Sequence, residues 1–403
     1  MRDRTSTAQS VTAHAQTHFA TKRRRWIAGG ATTLAAALTA LVLSSCGTTS
    51  NEAPPSAAAI RSDAGALTVN SFPLSPSGPA PGASLQARTI ARELDRGINF
   101  GNMLESPNEG EWGLRAEDRF IALVGEGGFT KSVRLPVRWS NHASRDAAAI
   151  IDPVFFARVD SVLNRLLARG ATVVLNMHHY RQLDGDTLDP NETPVDASVV
   201  RVRVLSMWRQ IAQRYANRSP KLIFEIYNEP HGAQETTWND LLSRALRVIR
   251  ESNPDRAVMI GPTFWNAAHK LPQLVLPPDA NLILTVHHYE PFDFTHQGAE
   301  WVQPLRPVGV DCCDAAAQKQ MSEILDLARR EADRMGYPVV IGEFGAYSKA
   351  PEAARVRYLT FIRQAMESRQ MPWIYWELAS GFGVYDPKAN AFRESLKKAL
   401  YGP

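Results

Sequence analysis

A single (β/α)8 barrel is the fold class this sequence predicts, and three observations carry the expectation. Eight short β-rich runs are spread over the last ~310 residues and alternate with stretches of helical periodicity. Several runs are continuously apolar, as in Thr172-Val173-Val174-Leu175 and Leu282-Ile283-Leu284, the pattern of parallel strands covered by helices. No glycine-rich phosphate turn follows the first run, where a doubly wound open sheet would carry one; Gly97 and Gly101 do not supply it.

The chain of 403 residues allows one large domain or two ordinary ones. It opens on a basic cluster, Lys22 to Arg25, then an apolar and small-residue run from Trp26 to Leu43, then Leu43-Ser44-Ser45-Cys46, which resembles a bacterial lipobox. Residues 1–45 therefore read as a lipoprotein-type signal peptide, with Cys46 the lipidated first residue of the exported chain. A transmembrane anchor is the alternative, but many Ala, Thr and Gly residues make the run weakly apolar. Arg23-Arg24-Arg25-Trp26-Ile27 also matches a twin-arginine signal, weakly. The leader explains the charge as well. Six basic residues against Asp3 give it +5, more than the +4 of the whole chain, so residues 46–403 are near neutral. That removes the usual argument for a nucleic-acid partner.

Residues 46–85 are rich in Ala, Ser, Pro and Gly and read as a flexible linker that carries no catalytic group. Residues 86–403 form the barrel. Its expected strands are Arg96 to Gly101, Ser132 to Val137, Thr172 to His179, Leu222 to Asn228, Ala257 to Thr263, Leu282 to Tyr289, Val339 to Phe344 and Trp373 to Leu378. Helical periodicity fills Pro153 to Arg169, Ser198 to Tyr215, Trp238 to Ser252 and Ala315 to Met335. The adjacent Cys312 and Cys313 are expected to be free or bridged to each other within a loop.

A (β/α)8 barrel builds its active site at the C-terminal ends of the strands, so the residues closing each run matter most. They are polar and aromatic: Arg134, His178, His179, Asn228, Glu229, Trp265, Asn266, His287, Tyr289, Glu343, Trp376 and Glu377. Glu229 and Glu343 close the fourth and seventh runs, which face each other across the mouth. Carboxylates brought close together cannot both ionise freely, so one holds a proton as acid while the other stays charged. Glu225 shares strand parity with Glu229 and is expected inside the barrel as the buried partner of a basic residue. Glu377 is left without a role.

Phe224-Glu225-Ile226-Tyr227-Asn228-Glu229-Pro230 and Val340-Ile341-Gly342-Glu343-Phe344-Gly345 resemble the acid/base and nucleophile motifs of family 5 glycoside hydrolases. Further likeness lies in Gly97-Ile98-Asn99-Phe100-Gly101-Asn102, Val133-Arg134-Leu135-Pro136, Asn176-Met177-His178-His179-Tyr180, His287-His288-Tyr289 and Trp373-Ile374-Tyr375-Trp376, and spans nearly all of residues 90–400. The resemblance implies a retaining β-glycanase with Glu229 as acid/base and Glu343 as nucleophile. It further implies that Asn228 binds the sugar 2-hydroxyl, that Arg134 and Tyr289 hold Glu343, that His178, His179 and His287 bind hydroxyls or steer Glu229, and that Trp376 stacks on the sugar. Trp112, Trp139, Trp265 and Trp301 are candidate sugar platforms. Likeness to bacterial cellulases, including Met103-Leu104-Glu105-Ser106-Pro107 and Trp112-Gly113, favours an endo-β-1,4-glucanase, with a mannanase second. No cofactor or metal is expected, and the partners are a β-linked polysaccharide and, through Cys46, a membrane. The exported protein is expected to be a monomer at the outer membrane or cell surface, or released.

Two rivals come from other classes. A zinc hydrolase could draw on His178, His179, His287 and His288, but such barrels usually take a His-x-His pair from the first strand, which here offers only Asn99 and Asn102. A carbohydrate-binding lipoprotein without catalysis need not keep Glu229, Glu343, Arg134 and Asn228, all of which are present.

Overall fold

A computed structural model describes residues 67–402. The leader, Cys46 and the linker up to residue 66 lie outside the described residues. Eight parallel strands close a barrel in sequence order: β1 (Arg96–Asn99), β2 (Ser132–Leu135), β3 (Thr172–Asn176), β4 (Leu222–Glu225), β5 (Val258–Ile260), β6 (Leu282–His288), β7 (Val339–Phe344) and β8 (Trp373–Tyr375). β1 pairs with both β2 and β8, so the sheet has no free edge. All eight expected strands are present, and most stop two or three residues short of the expected end, leaving the polar residues on the loops that follow.

The barrel interior follows from strand alternation. Val174, Ile223, Met259, Ile283, Val340 and Ile374 form one apolar layer inside it. Helix Leu85–Glu93 seals this layer from the strands' N-terminal end. Ser84 starts it by accepting from the Ala87 N–H at 3.0 Å, and Ile90, Ala91 and Leu94 pack onto the layer. The opposite residues of each strand face the surrounding helices and join the larger outer core.

The helical layer is uneven. Pro153–Ala168, Val200–Arg214, Trp238–Arg250, Ala315–Met335 and Glu352–Ser368 are full-length helices. Asp152 caps the first, and proline stands in its first turn. Asp314 caps Ala315–Met335, which ends at left-handed Gly336. Between β1 and β2 only Asp118–Ile121 is helical, and between β5 and β6 only Thr263–Asn266 and a 3-10 segment. After β8 a small hairpin pairs Tyr385–Asp386 with Ala391–Phe392 before helix Glu394–Tyr401. Cys312 and Cys313 are bridged to each other at the end of the long loop that precedes Ala315–Met335.

The expected linker boundary needs correction, because residues 67–84 pack on the barrel. Phe72 is completely buried, with the Arg209 guanidinium 4.5 Å from its ring centre. Arg244 Nη1 donates to the Val69 and Phe72 carbonyls at 3.2 and 2.5 Å, and Ser75 exchanges hydrogen bonds with Ser243 at 3.1 and 2.8 Å. The low density of apolar residues hid one anchor large enough to order the segment. Phe72→Ala should cost about 3 kcal/mol of stability, read as a lower midpoint in urea unfolding; an unchanged midpoint would show that the segment contributes nothing to the fold.

Candidate active site

Above the apolar layer the barrel interior turns polar, and Arg134 on β2 occupies its centre, fully buried. A guanidinium has five N–H donors, and here each has an acceptor. Nε and Nη2 fork onto Glu225 at 2.6 and 2.9 Å. Nη1 reaches Asn99 Oδ1 at 3.0 Å and Glu343 Oε1 at 2.6 Å. Nη2 also reaches Asn228 Oδ1 at 2.7 Å. Asn99 in turn donates to the Gly342 carbonyl at 3.1 Å, which ties β1 to β7. Burial works against the Arg134 charge, but Glu225 and Glu343 outweigh it and hold the guanidinium above its ordinary value. Glu225 is thus the buried partner that strand parity suggested.

Glu343 lies on β7 with both oxygens engaged, Oε1 by Arg134 and Oε2 by the Tyr289 hydroxyl at 3.0 Å. Burial pushes its carboxyl up, against the pull of His287 and Arg134. Its neighbour Gly342 has to be glycine, since a Cβ there would lie 2.5 Å from Thr285 Oγ1 and 3.0 Å from His287 Nε2. β6 shifts register between Val286 and His287, and that bulge sets His287 opposite Glu343 rather than Gly342.

Glu229 stands four residues beyond the end of β4, in the left-handed region at φ +50°. Its Oε1 lies 2.7 Å from His287 Nδ1, and the same nitrogen is 3.7 Å from Glu343 Oε2. Asn266 Nδ2 is 3.3 Å from His287 Nε2; donation there leaves Nδ1 as the N–H that faces Glu229. An oxygen of Glu229, a ring nitrogen of His287 and an oxygen of Glu343 all lie within 4.8 Å of one another. His178, His179 and His288 do not join this group. Both Glu343 oxygens and the His287 N–H are already used within it.

The remaining candidate residues surround that group. His178 stacks on Trp376, centroids 5.8 Å apart and planes 9° from parallel, and its Nδ1 is 3.1 Å from Asn176 Nδ2. Burial, then His179 and Arg134, hold His178 well below its ordinary value, so it is neutral. His179 is likewise depressed, by burial and Arg138, and meets Trp112 edge-on at 5.6 Å. Trp376 is half-buried; Gly101 makes room for it, since a Cβ there would come within 3.0 Å of the indole. Trp112, Trp265 and Trp301 are also half-buried. Trp112 lies under the Arg138 guanidinium at 5.2 Å, Trp265 stacks on His231 at 4.5 Å, and Trp301 packs against Tyr347 at 4.7 Å.

Trp139 is the exception and is not a sugar platform. It is fully buried between Phe155 and Phe156, at 5.7 and 5.4 Å, and its Nε1 donates to the Asn176 carbonyl at 2.9 Å. Helix Pro153–Ala168 covers the loop that a barrel-mouth position had seemed to expose. Sequence reasoning also gave no role to Asn99, Asn266 or His231, and only the nearness of His231 to Glu229 could have flagged it. Glu377, left without a role, is buried below Trp376 and accepts from the Phe382 N–H at 3.3 Å.

The family model described as Cellulase (glycosyl hydrolase family 5) matches residues 96–381. Endoglucanase H of Acetivibrio thermocellus is 32% identical over 325 residues, which cover 78% of this chain and 33% of that protein. The chain thus spans about a third of that relative's length. Endoglucanase Cel5A from Thermotoga maritima is 40% identical over 78% of this chain and 99% of its own, with a TM-score of 0.73. A structure of Thermotoga maritima Cel5A in complex with mannotriose, also 40% identical, covers 77% of this chain and 99% of its own at the same TM-score.

Proposed function

Because the chain belongs to glycosyl hydrolase family 5, the cellulase family, we propose that its barrel is a retaining endo-β-1,4-glucanase with Glu343 as nucleophile and Glu229 as acid/base. The observation that carries this reading is the separation of the two carboxylates. With one oxygen of each within 4.8 Å of the other, the pair fits the ~5 Å spacing of retaining enzymes better than the ~6.5–9.5 Å that an inverting enzyme uses to hold a water.

In the first step a Glu343 oxygen attacks the anomeric carbon while Glu229 gives its proton to the leaving glycosidic oxygen, which leaves a glycosyl ester on Glu343. Glu229, now a carboxylate, takes a proton from water, and that water displaces Glu343 with net retention. Arg134 and Tyr289 hold Glu343 from its two oxygens, so its attacking lone pair is aimed before the sugar arrives. Asn228, fixed by Arg134, would meet the sugar 2-hydroxyl with its amide N–H. Trp376, backed by neutral His178, offers a flat face to pyranose C–H groups. Trp112, Trp265 and Trp301, each half-buried, extend that surface along a polymer.

Mannan is the second substrate reading. It is favoured by the mannotriose bound in a Thermotoga maritima Cel5A structure to which this chain is 40% identical. The leader supports a further reading, that residues 1–45 direct export and that Cys46 carries a lipid holding a monomeric enzyme at the outer membrane or cell surface, or else is cleaved and the enzyme released.

Three measurements test these readings. Glu343→Gln should abolish turnover, and a 2-fluoro β-cellobioside inactivator should label Glu343 in the unaltered enzyme; a label elsewhere, or no loss of turnover, removes the nucleophile assignment, and an unaltered protein that neither turns over substrate nor takes the label revives the non-catalytic carbohydrate-binding reading. Carboxymethylcellulose should be hydrolysed faster than a soluble mannan, and the reverse order would make the enzyme a mannanase. Labelled fatty acid should enter the full chain in cells and fail to enter Cys46→Ala; equal labelling of both ends the lipoprotein reading.

A further inference from the structure

Glu229 is held from two sides. Its carboxyl meets His287, and its backbone carbonyl meets His231, whose Nδ1 is 2.6 Å from the Glu229 oxygen. The other ring nitrogen of His231, Nε2, is 3.1 Å from Asp186 Oδ2. Both partners are acceptors only. A neutral imidazole carries a single N–H and would turn a lone pair toward one of these oxygens, so the geometry favours an imidazolium in which both nitrogens donate.

The charged groups around the ring fit that state. Asp186 faces Nε2 and is also reached by Arg181 Nη1 at 3.4 Å. Asp184 Oδ1 lies 3.9 Å from Nδ1, and its other oxygen accepts from the Tyr227 hydroxyl. Trp265 covers one face of the ring at 4.5 Å, 19° from parallel, a contact that favours the cation. Burial alone would lower the His231 value, but Asp186, Asp184 and the Glu229 carbonyl reverse the effect and raise it to about 9.

The grip falls where the backbone is under strain. Glu229 is not glycine, yet it sits at φ +50°, a conformation that lasts only where the surroundings impose it. Pro230 follows and has no N–H to anchor the turn. Asn266 bonds His287 and its neighbour Trp265 stacks on His231, so a single two-residue segment, itself left-handed at φ +56° and +57°, orients both imidazoles that fix Glu229.

We propose that His231, held as an imidazolium between Asp186 and the Glu229 carbonyl and backed by Trp265, is a positioning residue for the acid/base carboxyl. It acts on proton transfer at Glu229 and on neither sugar binding nor attack by Glu343. The proposal rests on the reading of Glu229 as acid/base.

Aryl β-cellobiosides separate these steps. A 2,4-dinitrophenolate leaves without a proton, whereas a phenolate needs one, so a fault confined to the acid lowers kcat/KM for the phenyl glycoside only. The competent sites of each variant are first counted with the 2-fluoro inactivator, which removes any contribution from misfolded protein. Per competent site, His231→Ala should lose about 10- to 100-fold in kcat/KM on the phenyl glycoside and less than about threefold on the dinitrophenyl glycoside. Azide, which needs no general base, should restore most of the lost dinitrophenyl kcat. His231→Asn, which keeps one donor at the Nδ1 position, should fall between the two enzymes. Equal losses on both glycosides, or no loss on either, overturn the proposal. Glu229→Ala run alongside keeps the two readings apart. If it lacks the leaving-group dependence, the acid/base assignment itself fails; if it shows that dependence and His231→Ala does not, only the role of His231 fails.

Discussion

The structure of the mouth depends on one buried cation. Arg134 spends all five of its N–H donors on four side chains drawn from three strands and one loop, so those side chains cannot move independently. A charge in this position is tolerable only because it is fully bonded. The fork onto Glu225 neutralises most of it locally, and what reaches Glu343 through a single N–H is enough to aim the carboxylate. A guanidinium that paired with Glu343 alone would stabilise the anion more strongly and, on the proposed mechanism, make it a poorer nucleophile. Glu225, which the proposed mechanism does not use, would therefore moderate the carboxylate that it does use.

Around this fixed centre the two glutamates are controlled in different ways. Glu343 belongs to a strand and receives its partners from neighbouring strands, with the bulge in β6 bringing His287 into register. Glu229 sits on a loop with a strained backbone, and it needs contacts at both the carboxyl and the carbonyl to stay where it is. The proposed nucleophile has one geometry to keep. The proposed acid/base must face a glycosidic oxygen in one step and a water in the next, and a loop position braced at two points suits that demand.

The strands were legible because continuous apolar runs leave few other interpretations, and the strand-end rule then brought Arg134, Asn228, Glu229, His287, Tyr289 and Glu343 to one list. Three things were not legible, each for a physical reason. Burial of Trp139 depends on Phe155 and Phe156 from the next helix, and a loop tryptophan looks the same in sequence whether or not a helix lies over it. Ordering of residues 67–84 turns on Phe72 meeting Arg209 and Arg244, contacts too far apart along the chain for composition to register. The register shift in β6 has no residue signature, yet it decides which residue His287 faces. His231 combines these difficulties, since Asp184 and Asp186 lie far upstream of it and look like ordinary loop acids.

Helix Leu85–Glu93 fills the floor of the barrel, and residues 67–84 reach it along the outer helices and the loops below the sheet. The described chain therefore runs from the side of the barrel down to the face remote from the catalytic opening. The contacts of this segment go to the outer helices and the floor rather than to the cleft, so changes within it bear on stability before they bear on a polymer's access to the opening.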